Sequence, residues 1–234
     1  MVIVVVMAAE PVLTAEDHAF WEQNGYLVIR EAVPREDCEA TVAALFDFLG
    51  MDAGDPLDWF RPPLPGGVPM DLHPTVWRNR QSSRLFRAFS ELWGAEALYV
   101  SRDRILFKHP VLDAAPAWGQ KESPHPFGGF LHWDWGGWVD ENASMLERPW
   151  FKVQGMLALA DTSAEQGGFQ CVPGVHRKLP ELFEAIPALR EPGNQGMATI
   201  AEHLDAATLA RLGLEVRRVP LRAGELVVWH HCTL

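Results

Sequence analysis

Two side chains in the run Leu131-His132-Trp133-Asp134 are the first candidates for chemistry. In an extended backbone, residues two apart point to the same face. His132 and Asp134 can therefore present an imidazole and a carboxylate to one metal ion. A further histidine from elsewhere in the chain would complete a two-histidine, one-carboxylate facial set, which leaves positions on Fe(II) open for a cosubstrate and O2. With nine histidines in 234 residues, such a pair also arises by chance, and the plain alternative is a surface histidine and aspartate in a turn.

The surrounding segments must position that pair. Thr14 and Asp17 form a capping-box pattern that opens a helix, and Asn24-Gly25 is a left-handed stop. Tyr26–Ile29 reads as a strand. Pro34 opens a second helix through about Leu49, with Val42, Leu45, Phe46 and Leu49 at helical spacing. Asp52–Pro74, rich in proline and glycine, reads as a long loop, and Ser83–Trp93 as a third helix. Short strand-like runs follow at Leu98–Phe107, Phe130–Trp133, Phe151–Leu159, Phe169–Val172, Leu214–Val219 and Glu225–Trp229, with an irregular helical stretch at Leu179–Arg211. Helices first and strands later predict a mainly β architecture with flanking helices, a sandwich or barrel. The chain reads as one domain over 1–234, with 1–97 a mainly helical buttress, 98–234 the barrel, and a helical insertion at about 179–211.

Composition narrows the partners. Hydrophobic residues make up 48% of the chain, enough for a sizeable core, and the net charge of −11 argues against nucleic acid. The apolar start, Met1–Ala9, is too short to span a membrane. Three widely spaced cysteines, Cys38, Cys171 and Cys232, suggest neither a disulfide framework nor a zinc cluster, so a reducing cytoplasm is the simplest setting. Oligomeric state is not legible.

Further motifs follow the His132/Asp134 pair in order. Gln154–Thr162 reads as a strand ending in an acidic turn. Glu165-Gln166-Gly167-Gly168-Phe169-Gln170-Cys171-Val172-Pro173-Gly174-Val175-His176-Arg177 is a glycine-rich step into a corner. Arg222-Ala223-Gly224-Glu225-Leu226-Val227-Val228-Trp229-His230 is a strand rich in valine. This ordered set, together with the opening run 13–34, resembles the phytanoyl-CoA dioxygenase family over nearly the whole chain. The resemblance implies a double-stranded β-helix, a jelly-roll or cupin-like barrel. It implies a non-haem Fe(II)- and 2-oxoglutarate-dependent dioxygenase that hydroxylates a small organic molecule at an unactivated C–H bond, consuming O2.

By motif matching, His132 and Asp134 become the catalytic metal ligands. The family's distal histidine falls just after Leu234, and the basic partner of 2-oxoglutarate further on, so the chain is expected to be incomplete at its C-terminus and inactive as given. His230 and His231 are the nearest substitutes. On a continuing extended strand His231 has the facing of the distal position but would sit short of it by about 13 Å, with His230 packed at the strand end and His231 at solvent or the pocket rim. Lys108 matches a family lysine that can contact 2-oxoglutarate, or is simply solvated. Trp133 and Met156 match positions lining the cosubstrate pocket, or are plain core. His176 belongs to the Pro173–His176 corner and is expected to be structural. Gly167 and Gly168 serve a turn, and His109 and His125 lie at the surface or in a lid. Trp118, Trp133, Trp135, Trp138 and Trp150 flank the pair as a pocket wall or as filling for the barrel mouth. The rival readings are a cupin-like metal protein that uses no 2-oxoglutarate, and a catalytically silent relative.

Overall fold

A computed structural model describes residues 10–60, 67–102, 104–110, 112–113, 131–133, 153–190 and 203–234. Asp134, His125 and the tryptophans at 118, 135, 138 and 150 lie outside these residues.

Helix α1 (Ala15–Asn24) is held by the capping box expected of its sequence. Asp17 N–H donates to Thr14 Oγ1, and Thr14 N–H donates back to the Asp17 carboxylate at 2.8 Å. Gly25 ends it in the left-handed region and leads directly into β1 (Tyr26–Ile29). Helix α2 (Arg35–Leu49) follows Pro34, as expected. Its buried side is set by Cys38, Thr41, Leu45 and Phe46, whereas Val42 and Leu49 are only half-buried. The polar Thr41 is admitted because its hydroxyl donates to Asp37 O and accepts from Asn79 Nδ2.

The long loop is shorter than its composition suggests. Gly67–Val68 forms β2, and Pro74–Arg80 forms α3, begun by His73, whose Nδ1 accepts from Thr75 N–H, with Pro74 at the first helical position. Helix α4 spans Ser83–Trp93. Strand β3 is confined to Ile105–Leu106 and pairs with β2, so the run 98–102 is not strand. The later strands are β4 (Val153–Leu157), β5 (Gln170–Cys171), β6 (Arg217–Arg218) and β7 (Leu226–His230). Between β5 and β6 lie a 3-10 turn at Val175–Arg177, α5 (Leu179–Ala185), a second 3-10 turn at Pro187–Arg190, and α6 (Ala206–Arg211).

Strand β7 is the centre of the main sheet. It pairs antiparallel with β1 on one side and β4 on the other. Among the described strands, β1 from the N-terminal segment thus flanks β7, which lies at the centre of the sheet. Alternation along β7 assigns its faces. Leu226 and Val228 pack with Trp21 of α1 and Ala88 and Leu92 of α4. Val227 and Trp229 pack with Cys171, Val219 and Leu221 around the β5–β6 ladder. Val227 and Val228 are both fully buried, and burial of each such side chain contributes about 1.5–3 kcal/mol. Gly155 of β4 makes the helical side fit: a Cβ there would lie 2.9 Å from the Phe89 ring of α4 and 3.1 Å from Val228 Cγ1. The described strands form one three-stranded sheet and two two-stranded ladders, β-rich with flanking helices, and among them no barrel closes. No helix of the described residues is long and apolar enough to cross a membrane.

Candidate functional site

Four chain segments converge at the C-terminal end of β7: the α1–β1 junction, residues 131–133, the corner at 172–176, and residues 230–234. Backbone hydrogen bonds join them. His230 N–H donates to Gly25 O at 2.8 Å, Gly174 N–H to Asn24 O at 2.8 Å, and Val172 N–H to Leu234 O at 2.8 Å. Thr233 Oγ1 adds a second donor to Gly25 O at 2.9 Å.

Residues 131–133 are anchored in this junction by their flanking side chains. Leu131 and Trp133 are buried in one cluster with Val172, Val175, Cys232 and Leu234. The Trp133 indole N–H donates to Cys232 O at 3.2 Å, and its ring tilts against Phe183. His132, between two sealed neighbours, is half-buried and takes the other side of the segment. Packing of Leu131 and Trp133 thus fixes the backbone on which His132 stands. The described residues 131–133 are not strand, in contrast to the run expected over 130–133, although burial alternates from Leu131 through His132 to Trp133.

The other candidates are dispersed. Met156 is half-buried beside Tyr26, Val28, Val227 and Trp229, on the sheet face that packs against the β5–β6 ladder. Lys108 is exposed, and its ammonium donates to Gly167 O. Trp133, at 2% exposed, belongs to the core cluster just described. His109 stacks on Phe60 with ring centres 5.0 Å apart.

His176 has the structural part expected of it. Its Nε2 bonds Glu22 O at 3.1 Å, so the imidazole, with Gly174 N–H, satisfies carbonyls at the end of α1. Nε2 must then carry the proton, leaving Nδ1 as a buried lone pair without a hydrogen-bond partner. Burial pushes the His176 pKa below its usual value, only partly offset by the Glu22 hydrogen bond. A folded-state pKa depressed in this way means the unfolded chain takes up the proton first. The His176 contribution is present above the unfolded value of 6.5 and is lost as pH falls below it and through the depressed folded value. The urea midpoint is expected to drop between about pH 7.5 and about pH 5.5, and the drop should shrink in His176→Gln. Identical pH profiles for the two proteins would contradict this assignment.

At the end of β7 the chain does not continue as a strand. It turns at His231-Cys232. Linear extrapolation placed His231 at solvent or a pocket rim; instead it is 5% exposed and stacked on His230, with ring centres 4.4 Å apart. The turn is what folds it inward. His230 is half-buried, as expected, with its Nδ1 accepting from Cys232 N–H at 3.1 Å. The ligand atoms of His230, His231 and Cys232 all lie within 4.8 Å of one another. Sequence reasoning passed over Cys232; its signal was adjacency to two histidines, which carries weight only once a turn gathers them. None of the three cysteines forms a disulfide, and all are buried.

Comparison with known proteins adds lineage to this geometry. A model of the family described as Phytanoyl-CoA dioxygenase (PhyH) matches residues 21–234. A curated protein of Dictyostelium discoideum, "Putative phytanoyl-CoA dioxygenase", is 24% identical over 245 residues, covering 91% of this chain and 67% of that relative. The solved structure of a "Putative Oxidoreductase" from Salmonella typhimurium LT2 aligns over 94% of this chain and 65% of its own, with 16% identity and a TM-score of 0.57. That of a hypothetical protein from Escherichia coli aligns over 94% of this chain and 63% of its own, with 17% identity and a TM-score of 0.59. The chain spans about two thirds of the length of these relatives. At such identities the likeness to the two solved structures is one of fold.

Proposed function

We infer the function from lineage and site together, and the lineage is plain: the chain belongs to the phytanoyl-CoA dioxygenase family. The reading it supports is a non-haem Fe(II)- and 2-oxoglutarate-dependent dioxygenase with a jelly-roll barrel, hydroxylating a small organic molecule. The observation that carries this reading is the family match over residues 21–234. The exposure pattern at 131–133 supports it independently, since the one side chain of that run left out of the core is the one able to bind metal.

In this reading His132 and Asp134 hold the iron. Bound iron supplies the activation of O2 against 2-oxoglutarate, and the protein's part is binding, orientation and exclusion. His132 donates a neutral nitrogen, and the Asp134 carboxylate adds a negative charge that partly offsets the dication. Leu131 and Trp133, locked in the cluster with Cys232 and Leu234, fix the backbone from which His132 projects. Trp133 therefore acts as a positioning residue. Lys108 offers a cation to a 2-oxoglutarate carboxylate, a role that requires its ammonium to leave Gly167 O. Met156 lines the inner sheet face near which the cosubstrate would lie.

The test is succinate formation by the gene product supplied with Fe(II), 2-oxoglutarate and O2 across a panel of small hydrophobic substrates. Succinate is expected, slowly even without the true substrate. Its absence from iron-loaded protein across the whole panel would overturn the oxygenase reading in favour of a silent relative.

A further inference from the structure

The turn after β7 gathers three consecutive metal-ligating residue types. We propose that His230, His231 and Cys232 form a second metal site, for a zinc-class dication, distinct from the His132/Asp134 pair. Two imidazoles and a thiolate are a soft-to-borderline donor set, which selects Zn2+ over Mg2+ or Ca2+. Tetrahedral zinc, with bonds of about 2.0–2.3 Å, sets its ligand atoms roughly 3.3–3.7 Å apart. The three donors, already within 4.8 Å of one another, reach that geometry by side-chain rotation and a contraction on the order of 1 Å.

Neighbouring contacts preorganise the set. The imidazoles of His230 and His231 are stacked at an interplanar angle of 30°, so one ring must turn about its side-chain bonds before both in-plane lone pairs meet a single ion, while the backbone that carries them is already fixed. His230 N–H is tied to Gly25 O, Thr233 N–H to His230 O, and Cys232 O accepts from Trp133, so the turn is fixed from three sides. Uptake of an ion on His230 Nδ1 trades the Cys232 N–H bond for a metal bond. His176 stands beside the set, its ring centre 5.4 Å from that of His230, with Nε2 occupied by Glu22 O.

Burial pushes the Cys232 thiol up to about 12, so at neutral pH it carries its proton. Metal binding forms the S–metal bond and releases that proton to the buffer, one per ion. Because Trp133, the residue after His132, donates its indole N–H to Cys232 O, occupancy would stiffen the segment that carries the first iron ligand.

Cobalt(II), a spectroscopically visible stand-in for zinc, tests the site under anaerobic, reducing conditions. One equivalent should produce a thiolate-to-cobalt charge-transfer band and intense tetrahedral ligand-field bands, both erased by an equivalent of zinc. The band should persist in His132→Ala, disappear in Cys232→Ser, and need at least 10-fold more cobalt in His230→Gln, with circular dichroism confirming that each variant is folded. His230→Gln, at a half-buried position, keeps the comparison available if Cys232→Ser does not fold. No charge-transfer band in the wild type would overturn the proposal. So would a band that survives in folded Cys232→Ser, or one lost in folded His132→Ala, which would place thiolate and iron ligands in a single site. Failure of the succinate assay alone leaves this set of outcomes unchanged, because none of them reads oxygenase activity.

Discussion

Replacing His132 by alanine is expected to lower Fe(II) affinity by on the order of 100-fold or more, beyond the roughly 10–100-fold that loss of a mere outer-shell partner costs. The fold should survive, because the residues that grip this segment are Leu131 and Trp133, buried to 1% and 2% exposure, whereas His132 is half-buried on the other side. Asp134→Ala should lose iron to a similar degree and abolish 2-oxoglutarate-dependent hydroxylation, since it removes both a ligand and the charge that offsets the metal. Calorimetric titration with Fe(II) under argon, alongside succinate measurement, checks both variants. Unchanged affinity in His132→Ala with intact circular dichroism would remove His132 from the metal site and leave the family resemblance without its chemistry.

The second large effect concerns the junction behind the site. Gly25 has φ +72°, and a Cβ built on it would lie 2.4 Å from His176 Nδ1 and 2.5 Å from Thr233 Oγ1. Neither neighbour is free to retreat. His176 is bonded through Nε2 to Glu22 O, and Thr233 Oγ1 to the carbonyl of Gly25 itself. Gly25→Ala therefore combines left-handed strain of about 1–2 kcal/mol with overpacking of about 1–3 kcal/mol, for a total of about 2–5 kcal/mol. Gly50 is the internal control. It ends α2 at φ +63° with nothing within 4 Å of its virtual Cβ, so Gly50→Ala should cost the strain alone, about 1–2 kcal/mol. Urea unfolding of both variants measures the difference. Equal losses would mean that the corner at 172–176 and the end of β7 are not packed against the α1–β1 junction in solution. A greater loss for Gly25→Ala should be accompanied by weaker metal binding, because the residues held at that junction include the turn against which Trp133 is pinned.

Local signals carried a good part of this protein. The capping box of Thr14 and Asp17, the stop at Gly25, strand Tyr26–Ile29, helix Ser83–Trp93 and the β7 run are each specified within a few residues by side-chain hydrogen bonding, backbone permissiveness or two-residue alternation, and all form as read. Family membership was legible too, because an ordered series of motifs survives at low overall identity. Helix α3 was passed over although His73-Pro74 marks its start, since seven residues following a proline-rich stretch carry too little periodicity to stand out. The strand-like run at 98–107 narrowed to Ile105–Leu106, because β propensity counts only where a partner strand pairs, and there the partner is the two-residue β2.

What no local reading could reach is which distant segments meet. Pairing of β1 with β7 brings residue 26 against residue 229, and only long-range hydrogen bonding decides that β7 becomes the centre of the described sheet. The same holds at the site. The sequence itself marks His132 by its spacing from Asp134, but that its flanking residues are core while it is left half-buried is a fact of packing against Cys232 and Leu234, about a hundred positions away. His231 and Cys232 show the limit most clearly. Extrapolated as strand, they point apart and His231 meets solvent; turned at the end of β7, they fold inward beside His230, because Gly25 O, Val172 N–H and the Trp133 indole are there to receive the backbone of the turn. Residue types and their spacing are written in the chain, whereas the convergence that makes neighbours of residues 25, 133, 172 and 232 is set by the tertiary structure, where each buried polar group must find a partner that the local sequence cannot supply.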